Sequence, residues 1–278
     1  MTYLRHISSS RLNDYIDYLY YLDGRMASSH EKILPLPTLD LKINLGGALQ
    51  VYENDHTDTY TESWCVGVWR VPHTVDWPSD LRLFGVHFKP DGAYPFLHLP
   101  LSELHNRVVT LDAIWGQFAA ELRERLYAAP TIQSGFALLE RLLLERLEEA
   151  PPGLEIVRSG ITQMARQHGI VSIRDLSDSI GISQNHLGTH FKRFVGVSAK
   201  ELAQLYRFEY SLHMADPIRP VEWTRVALRS GYYDLSHLNK EFLAFSGHSP
   251  TDYLRLRRRA YAEDPERAQT HLRNLPID

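Results

Sequence analysis

Gly231-Tyr-Tyr-Asp-Leu-Ser-His-Leu-Asn-Lys-Glu-Phe242 decides how this chain is read. A glycine opens a tight turn, and Asp234 stands where a helix N-cap accepts backbone N–H groups. Leu238, Phe242 and Phe245 then recur at spacings of four and three, which places them on one edge of a helix. The spacing predicts a short helix that buries that edge and turns Ser236, His237, Asn239 and Lys240 outward. Upstream, Trp223, Val226 and Ala227 supply the apolar stripe of a preceding helix. Pro217 and Pro220 separate that helix from whatever comes before.

Moving the frame back by 51 residues finds the same plan again. Asp234 falls on Ser183, His237 on His186, Leu238 on Leu187, Phe242 on Phe191, Phe245 on Phe194, Gly247 on Gly196 and Ser249 on Ser198. In this earlier copy Ser172 is placed to cap a helix, with Asp175 at the third position. Ile173, Leu176 and Ile180 form the stripe, and Gly181 suits the left-handed position past its end. Ser183 then opens Gln184–Phe194, whose outward edge carries Asn185, Gly188, Thr189 and Lys192. The turn of the later copy is one residue longer. Two short helices joined by a glycine turn, the second amphipathic with a polar face, describe a helix-turn-helix. Such a unit lays its second helix in the DNA major groove, about 12 Å wide, where outward side chains meet base edges. Residues 200–215 read as one connecting helix with Leu202, Leu205, Tyr206 and Leu212 apolar. A stiff spacer of this kind suits two groove segments about 34 Å apart on one face of a duplex.

The later copy, continued through Phe-Ser-Gly-His-Ser-Pro-Thr-Asp-Tyr253, closely resembles the signature of AraC/XylS-type transcription regulators. Gly181-Ile-Ser, Leu187, Phe-Lys-Arg193 and Gly196-Val-Ser198 resemble that family's first helix-turn-helix. The likeness covers roughly residues 156–258. It implies a sequence-specific, double-stranded DNA-binding transcription regulator that reads two adjacent major-groove segments. Carried over by position, the reading residues are Gln184, Asn185, Gly188 and Thr189 in the first unit and Leu235, Ser236, His237 and Lys240 in the second. Lys192 joins them from its place on the outward edge, and His237 suits bonding within the turn nearly as well. Ala199 stands where that family often has proline. Gly188 costs a helix up to about 1 kcal/mol relative to alanine, and leaves either a close backbone approach or a weak first reader. Arg255, Arg257, Arg258 and Arg259 are either a solvated run or phosphate contacts.

Charge agrees with this division. Across residues 154–259 there are 15 Lys+Arg and 10 Asp+Glu, a net of +5, whereas the remainder has 15 against 24, a net of −9. Residues 150–153, Ala-Pro-Pro-Gly, mark the boundary. Ahead of them the 136–147 stretch is dense in leucine, which predicts a helix in the domain core or, alternatively, a dimer seam.

Residues 33–110 read as β-structure. Leu39, Leu41, Ile43 and Leu45 alternate with polar residues and share one strand face. Gly46-Gly47 predicts a turn, with Ala48–Tyr52 pairing back as a hairpin. Further runs follow at 64–71 and 81–89, the latter placing Leu83, Gly85 and His87 opposite Phe84, Val86 and Phe88. The resemblance implies a cupin-like, effector-binding or dimerising N-terminal barrel followed by helices. Tyr52, Trp64, Trp69, Trp77 and His87 are the candidate effector residues, with burial as plain core the alternative for the rings. The expected division is α+β in two domains: residues 1–150 cupin-like, residues 154–259 an all-α tandem helix-turn-helix, and residues 260–278 a tail.

His73 and His87 with Glu62 or Asp76 lack the dense His-x-His and Glu pattern of a cupin metal site, so neither metal nor cofactor is expected. The single cysteine, Cys65, excludes an internal disulfide framework. There is no nucleophile motif or phosphate-binding glycine loop. A barrel enzyme fused to a DNA-binding unit is therefore the remote alternative, and an enzyme is not expected. A second alternative is a constitutive DNA binder whose N-terminal domain only dimerises. The expected partners are double-stranded DNA, a small-molecule effector, a second copy of the chain and, for an activator, RNA polymerase. No signal-peptide pattern or run of about 20 apolar residues is present, so the expected place is the bacterial cytoplasm, at the nucleoid when bound, with no membrane partner.

Overall fold

The alternating stretch at Leu39–Leu45 forms the middle of the larger of two sheets. The computed structural model describes residues 1–8, 11–26, 28–53, 56–263 and 274–276. Its strands are β1 (Thr2–His6), β2 (Ile16–Asp23), β3 (His30–Ile33), β4 (Asp40–Asn44), β5 (Leu49–Glu53), β6 (His56–Tyr60), β7 (Ser63–Val66), β8 (His73–Asp76), β9 (Arg82–Phe88), β10 (Val108–Thr110) and β11 (Asn274–Pro276). They form a six-stranded sheet in the order β1-β2-β9-β4-β7-β10 and a five-stranded sheet in the order β11-β3-β8-β5-β6. Neighbouring strands are antiparallel throughout. The expected barrel is thus a pair of open sheets.

Helices α1 (Tyr94–Leu97), α2 (Leu111–Trp115), α3 (Gln117–Tyr127) and α4 (Ile132–Arg146) follow the main run of strands. Leu41, Ile43, Phe84, Val86 and Phe88 share a core with Phe136, Leu139, Leu142 and Leu143 of α4. Gly135 lets α4 lie close, since a Cβ there would meet the Phe84 ring at 2.3 Å. The leucine-rich face of α4 therefore packs into the chain's own core, with Leu144 left exposed.

Two expectations are corrected here. Ala48–Tyr52 does not pair back on β4. After Gly46-Gly47 the chain crosses to the other sheet, where β5 pairs with β6 and β8. The glycines serve close packing: a Cβ on Gly46 would meet the Asp80 carbonyl oxygen at 2.1 Å. Nor is the whole of residues 260–278 a tail. The last long helix runs to Glu263, and β11 pairs with β3 of the sandwich, burying Leu275 completely. Residues 264–273 and 277–278 of the expected tail lie outside the described residues.

Past the Pro-Pro-Gly break come α5 (Leu154–Arg166), α6 (Ile173–Ile180), α7 (Gln184–Phe194), α8 (Ala199–Met214), α9 (Trp223–Arg229), α10 (Leu235–Ser246) and α11 (Pro250–Glu263). The sequence repeat is carried into the coordinates. Leu187 and Leu238 are both fully buried, as are Phe191 and Phe242. Gly196 and Gly247 both take positive φ, at 96° and 71°.

Candidate nucleic-acid interface and internal cavity

The ends of the two outward-facing helices are set by the residues the sequence places there. The Ser172 hydroxyl accepts from the Asp175 N–H, the Ser183 hydroxyl from the His186 N–H, and the Asp234 carboxylate from the His237 N–H at 2.7 Å. Gly181 closes α6 at φ 81°. With their starts capped, α7 and α10 bury Leu187, Phe191 and Phe194, and Leu238, Phe242 and Phe245, respectively.

The opposite edges are open. Gln184, Asn185, Thr189 and Lys192 are exposed, and nothing lies within 4 Å of where a Gly188 Cβ would stand. The Thr189 hydroxyl donates back to the Asn185 carbonyl. On α10, Ser236, Asn239 and Lys240 are exposed and Leu235 is half-buried. His237 is drawn inward. Its Nδ1 accepts from the Tyr233 N–H at 3.4 Å, and its Nε2 lies 3.4 Å from the Glu241 carboxylate. Within the basic run, Arg257 is 1% exposed and so unavailable to solvent, while Arg255, Arg258 and Arg259 are exposed.

Between the two units runs α8, 16 residues long, about 24 Å at 1.5 Å per residue. It starts one residue earlier than the sequence suggests, because Ser198 and Glu201 form a reciprocal capping box. The sandwich grips this helix. Arg70 donates to Glu201 and to Gln204, at 2.9 and 3.2 Å. Arg193, at the end of α7, donates to the Tyr94 hydroxyl, and Arg158 of α5 donates to the buried Asp91 carboxylate at 2.8 Å. These contacts leave the outward edges of α7 and α10 uncovered.

Between the sheets lies a cavity of about 370 Å³. Trp64, Trp69, Trp77 and His87 all line it. Tyr52 does not: Leu49 and Val51 point inward, so the period-2 pleat sends Tyr52 outward, where its hydroxyl donates to Asp76 at 2.6 Å. The polar side of the Leu39–Leu45 alternation, which sequence alone would send to solvent, is part of the cavity wall. There the Asp40 carboxylate receives His87 Nδ1 at 2.6 Å and Lys42 Nζ at 3.0 Å. Burial works to raise the Asp40 pKa, but Lys42 and His87 overcome it and hold the carboxyl well below the usual range. Tyr3, Arg5, Tyr18 and Tyr20, unflagged by sequence, complete this wall. The acid and base two apart in one strand were the only sequence signal for it. A Cβ on Gly85 would strike the Tyr20 ring at 2.0 Å, so the glycine lets that ring lie flat on the sheet. The cavity also touches Glu209 and His213 of α8 and Asn274 of β11. Cys65 is fully buried on the other side of β7, and burial pushes its thiol pKa far up. Among the described residues, no group of three or more His, Cys, Asp or Glu side chains is placed to hold a metal ion. No helix among them is long and apolar enough to cross a membrane.

Comparison with known proteins matches residues 176–256 to a family described as a helix-turn-helix domain. The C-terminal unit is thus a helix-turn-helix domain, in keeping with the resemblance to AraC/XylS-type regulators drawn from its sequence. Residues 4–110 match a family described as a domain of unknown function (DUF6597). No curated protein matches significantly. The chain is similar in structure to ToxT from Vibrio cholerae, at 11% identity and TM-score 0.44, over 85% of this chain and 97% of that one. It is also similar to the C-terminal domain of AraT, a response regulator from Geobacillus stearothermophilus, at 20% identity and TM-score 0.35, over 39% of this chain and 88% of that one. A third is a probable AraC family transcriptional regulator from Rhodopseudomonas palustris, at 23% identity and TM-score 0.33, over 36% of this chain and 95% of that one. The helix-turn-helix match marks the C-terminal half as the candidate DNA-binding part of the chain.

Proposed function

We propose that the chain reads a specific double-stranded DNA site through two successive major grooves, and that a small molecule held between the sheets sets its output. The observation that carries the DNA reading is the pair of capped helices, α7 and α10, presenting open polar edges from one linker helix. Gln184, Asn185, Gly188 and Thr189 take one groove, with Lys192 beside them. Leu235, Ser236 and Lys240 take the next, while His237 braces the turn that aims them. Lysines, arginines and helix N-termini hold phosphates and give affinity without sequence choice. The division at residues 150–154 separates this reader from the sandwich.

The effector reading rests on the walls of the cavity. A molecule among Trp64, Trp69, Trp77 and His87 also meets α8 through Glu209 and His213. Occupancy then bears on the helix that spaces the two reading heads, provided the molecule binds one arrangement of the domains better than another. Selection from a random DNA pool tests the first part: the expected product is a site with two conserved patches about one helical turn apart. A single patch, or no enrichment over random sequence, overturns tandem reading. Repeating the selection with a molecule that stabilises the full chain tests the second, and unchanged affinity for the selected site overturns modulation.

A further inference from the structure

The walls of the cavity hold unspent hydrogen-bond donors. Among the described residues, the indole N–H groups of Trp64 and Trp69 and Nδ1 of His73 are buried and find no partner, and the Thr38 hydroxyl is likewise unmatched. All four side chains line the cavity. Trp64 is 1% exposed and Trp69 4%, so bulk solvent does not serve them. A buried polar group without a partner is costly, and natural folds rarely keep several together without use. An indole N–H donates only, so what these groups lack is an acceptor.

Most of the charged groups around the same space are engaged with one another. Lys42 and His87 both hold Asp40, and the Tyr20 hydroxyl reaches the same carboxylate at 3.4 Å. The Arg5 guanidinium lies over the Tyr18 ring, 3.7 Å from its centre. Glu209 pairs with His213 at 3.9 Å. An anion buried beside Trp64 and Trp69 would be desolvated in the same cavity as the Asp40 carboxylate, while the Arg5 guanidinium that could answer it stands exposed to solvent, a costly placement. The walls are otherwise largely aromatic: the Tyr20 ring centre lies 6.4 Å from that of Tyr3 and 6.0 Å from that of Tyr18, and Trp77 lines the same cavity.

We infer that the cavity takes an uncharged, planar aromatic molecule whose acceptor oxygen, a carbonyl, lactone or ether, is held by the N–H groups of Trp64 and Trp69. This deepens the effector reading above and rests on it. His73 belongs to the same grip. Its ring lies 4.3 Å from that of Trp69, and burial together with Lys42 keeps its pKa down at about 3, so it meets the molecule as a neutral imidazole. The volume falls within the range of pockets that enclose small organic ligands.

The test uses the full chain and three ring-matched probes: coumarin, which carries a neutral lactone; naphthalene, which has no acceptor; and 2-naphthoate, which is anionic. Calorimetry and thermal shift are expected to show coumarin binding about tenfold more tightly than either of the others. Trp64→Phe and Trp69→Phe each keep a ring and remove the donor. Each should weaken coumarin about two- to tenfold, the range of one hydrogen bond, while naphthalene binding stays as it was. Unchanged naphthalene binding also shows that the variant has folded. Tighter binding of 2-naphthoate, equal binding of naphthalene, or no binding of coumarin overturns the inference. A mixed panel of neutral and anionic aromatics separates the two levels. Stabilisation by anions alone overturns this ligand class and leaves the effector reading standing, whereas stabilisation by none overturns both.

Discussion

Arg70 of the sandwich donates from Nη1 to Oε1 of Glu201 across 2.9 Å, while Oε2 of the same carboxylate takes the N–H and hydroxyl of Ser198. One side chain thus caps the linker helix and fastens it to the β-sheets. Burial alone would raise the Glu201 pKa, but the bonds from Ser198 and the charge of Arg70 hold it below the ordinary value. A depressed carboxyl stabilises the fold fully above the unfolded value near 4.5 and gives that stability up as pH falls through the folded value. Glu201→Gln should therefore unfold more readily at pH 7 and lose less than the parent on going to pH 3.5. Ser198→Ala should cost about 1 kcal/mol, as a lost N-cap does. Denaturant midpoints at the two pH values check both.

Lys240→Ala separates reading from anchoring on α10. As a base reader, Lys240 contributes discrimination at one position of the site, and its loss should cost about 1–3 kcal/mol there. As a phosphate contact, its loss should weaken all sequences alike and flatten the salt dependence. The position on the outward edge predicts the first outcome. Binding titrations on the selected site and on single-base variants, at two salt concentrations, decide it. No change in any of them would remove Lys240 from the interface.

Gly188→Ala adds a methyl group into open space on α7. Alanine in place of mid-helix glycine should stabilise the chain by up to about 1 kcal/mol. If Gly188 leaves α7 a weak reader, affinity for the selected site should hold within about threefold. A clear loss of affinity alongside the gain in stability would show that DNA comes close to the helix backbone there.

His73 makes the sandwich sensitive to mild acid. Burial, aided by Lys42, keeps its folded pKa near 3, whereas the unfolded chain takes up that proton near 6.5. The unfolded state then binds more protons between those values, so stability is complete above about 6.5 and declines as pH falls toward 3. His73→Phe should narrow the difference between unfolding midpoints at pH 7 and pH 5. The comparison is made within each variant, so a constant packing change cancels.

The helical half was legible because its information is local. Caps at Ser172, Ser183 and Asp234, left-handed glycines and aromatic residues three and four apart each act within one turn of chain, and each took its expected place. The strands gave up their faces but not their partners. Leu39–Leu45 announced one apolar side, yet nothing within it says that Gly46-Gly47 leads to the opposite sheet, since that turns on the approach of Asp80 from 34 residues away. For the same reason the Asp40 and Lys42 side passed for a wet surface. Tyr52 was a misplacement that strand period could have avoided, because Val51 is the inward residue. Strand β11 has three residues and no pattern of its own, and its partner β3 lies some 240 positions earlier.

That late strand ties the order of synthesis to the order of assembly. The smaller sheet must wait for its outer member until every helix of the DNA-binding half has left the ribosome. Asn274, hydrogen-bonded to the buried Glu31, then fills its place in the cavity wall. A product broken off after α10 would carry both helices proposed to read DNA but an unfinished chamber, so on the proposed reading it would bind its sites without answering to any signal.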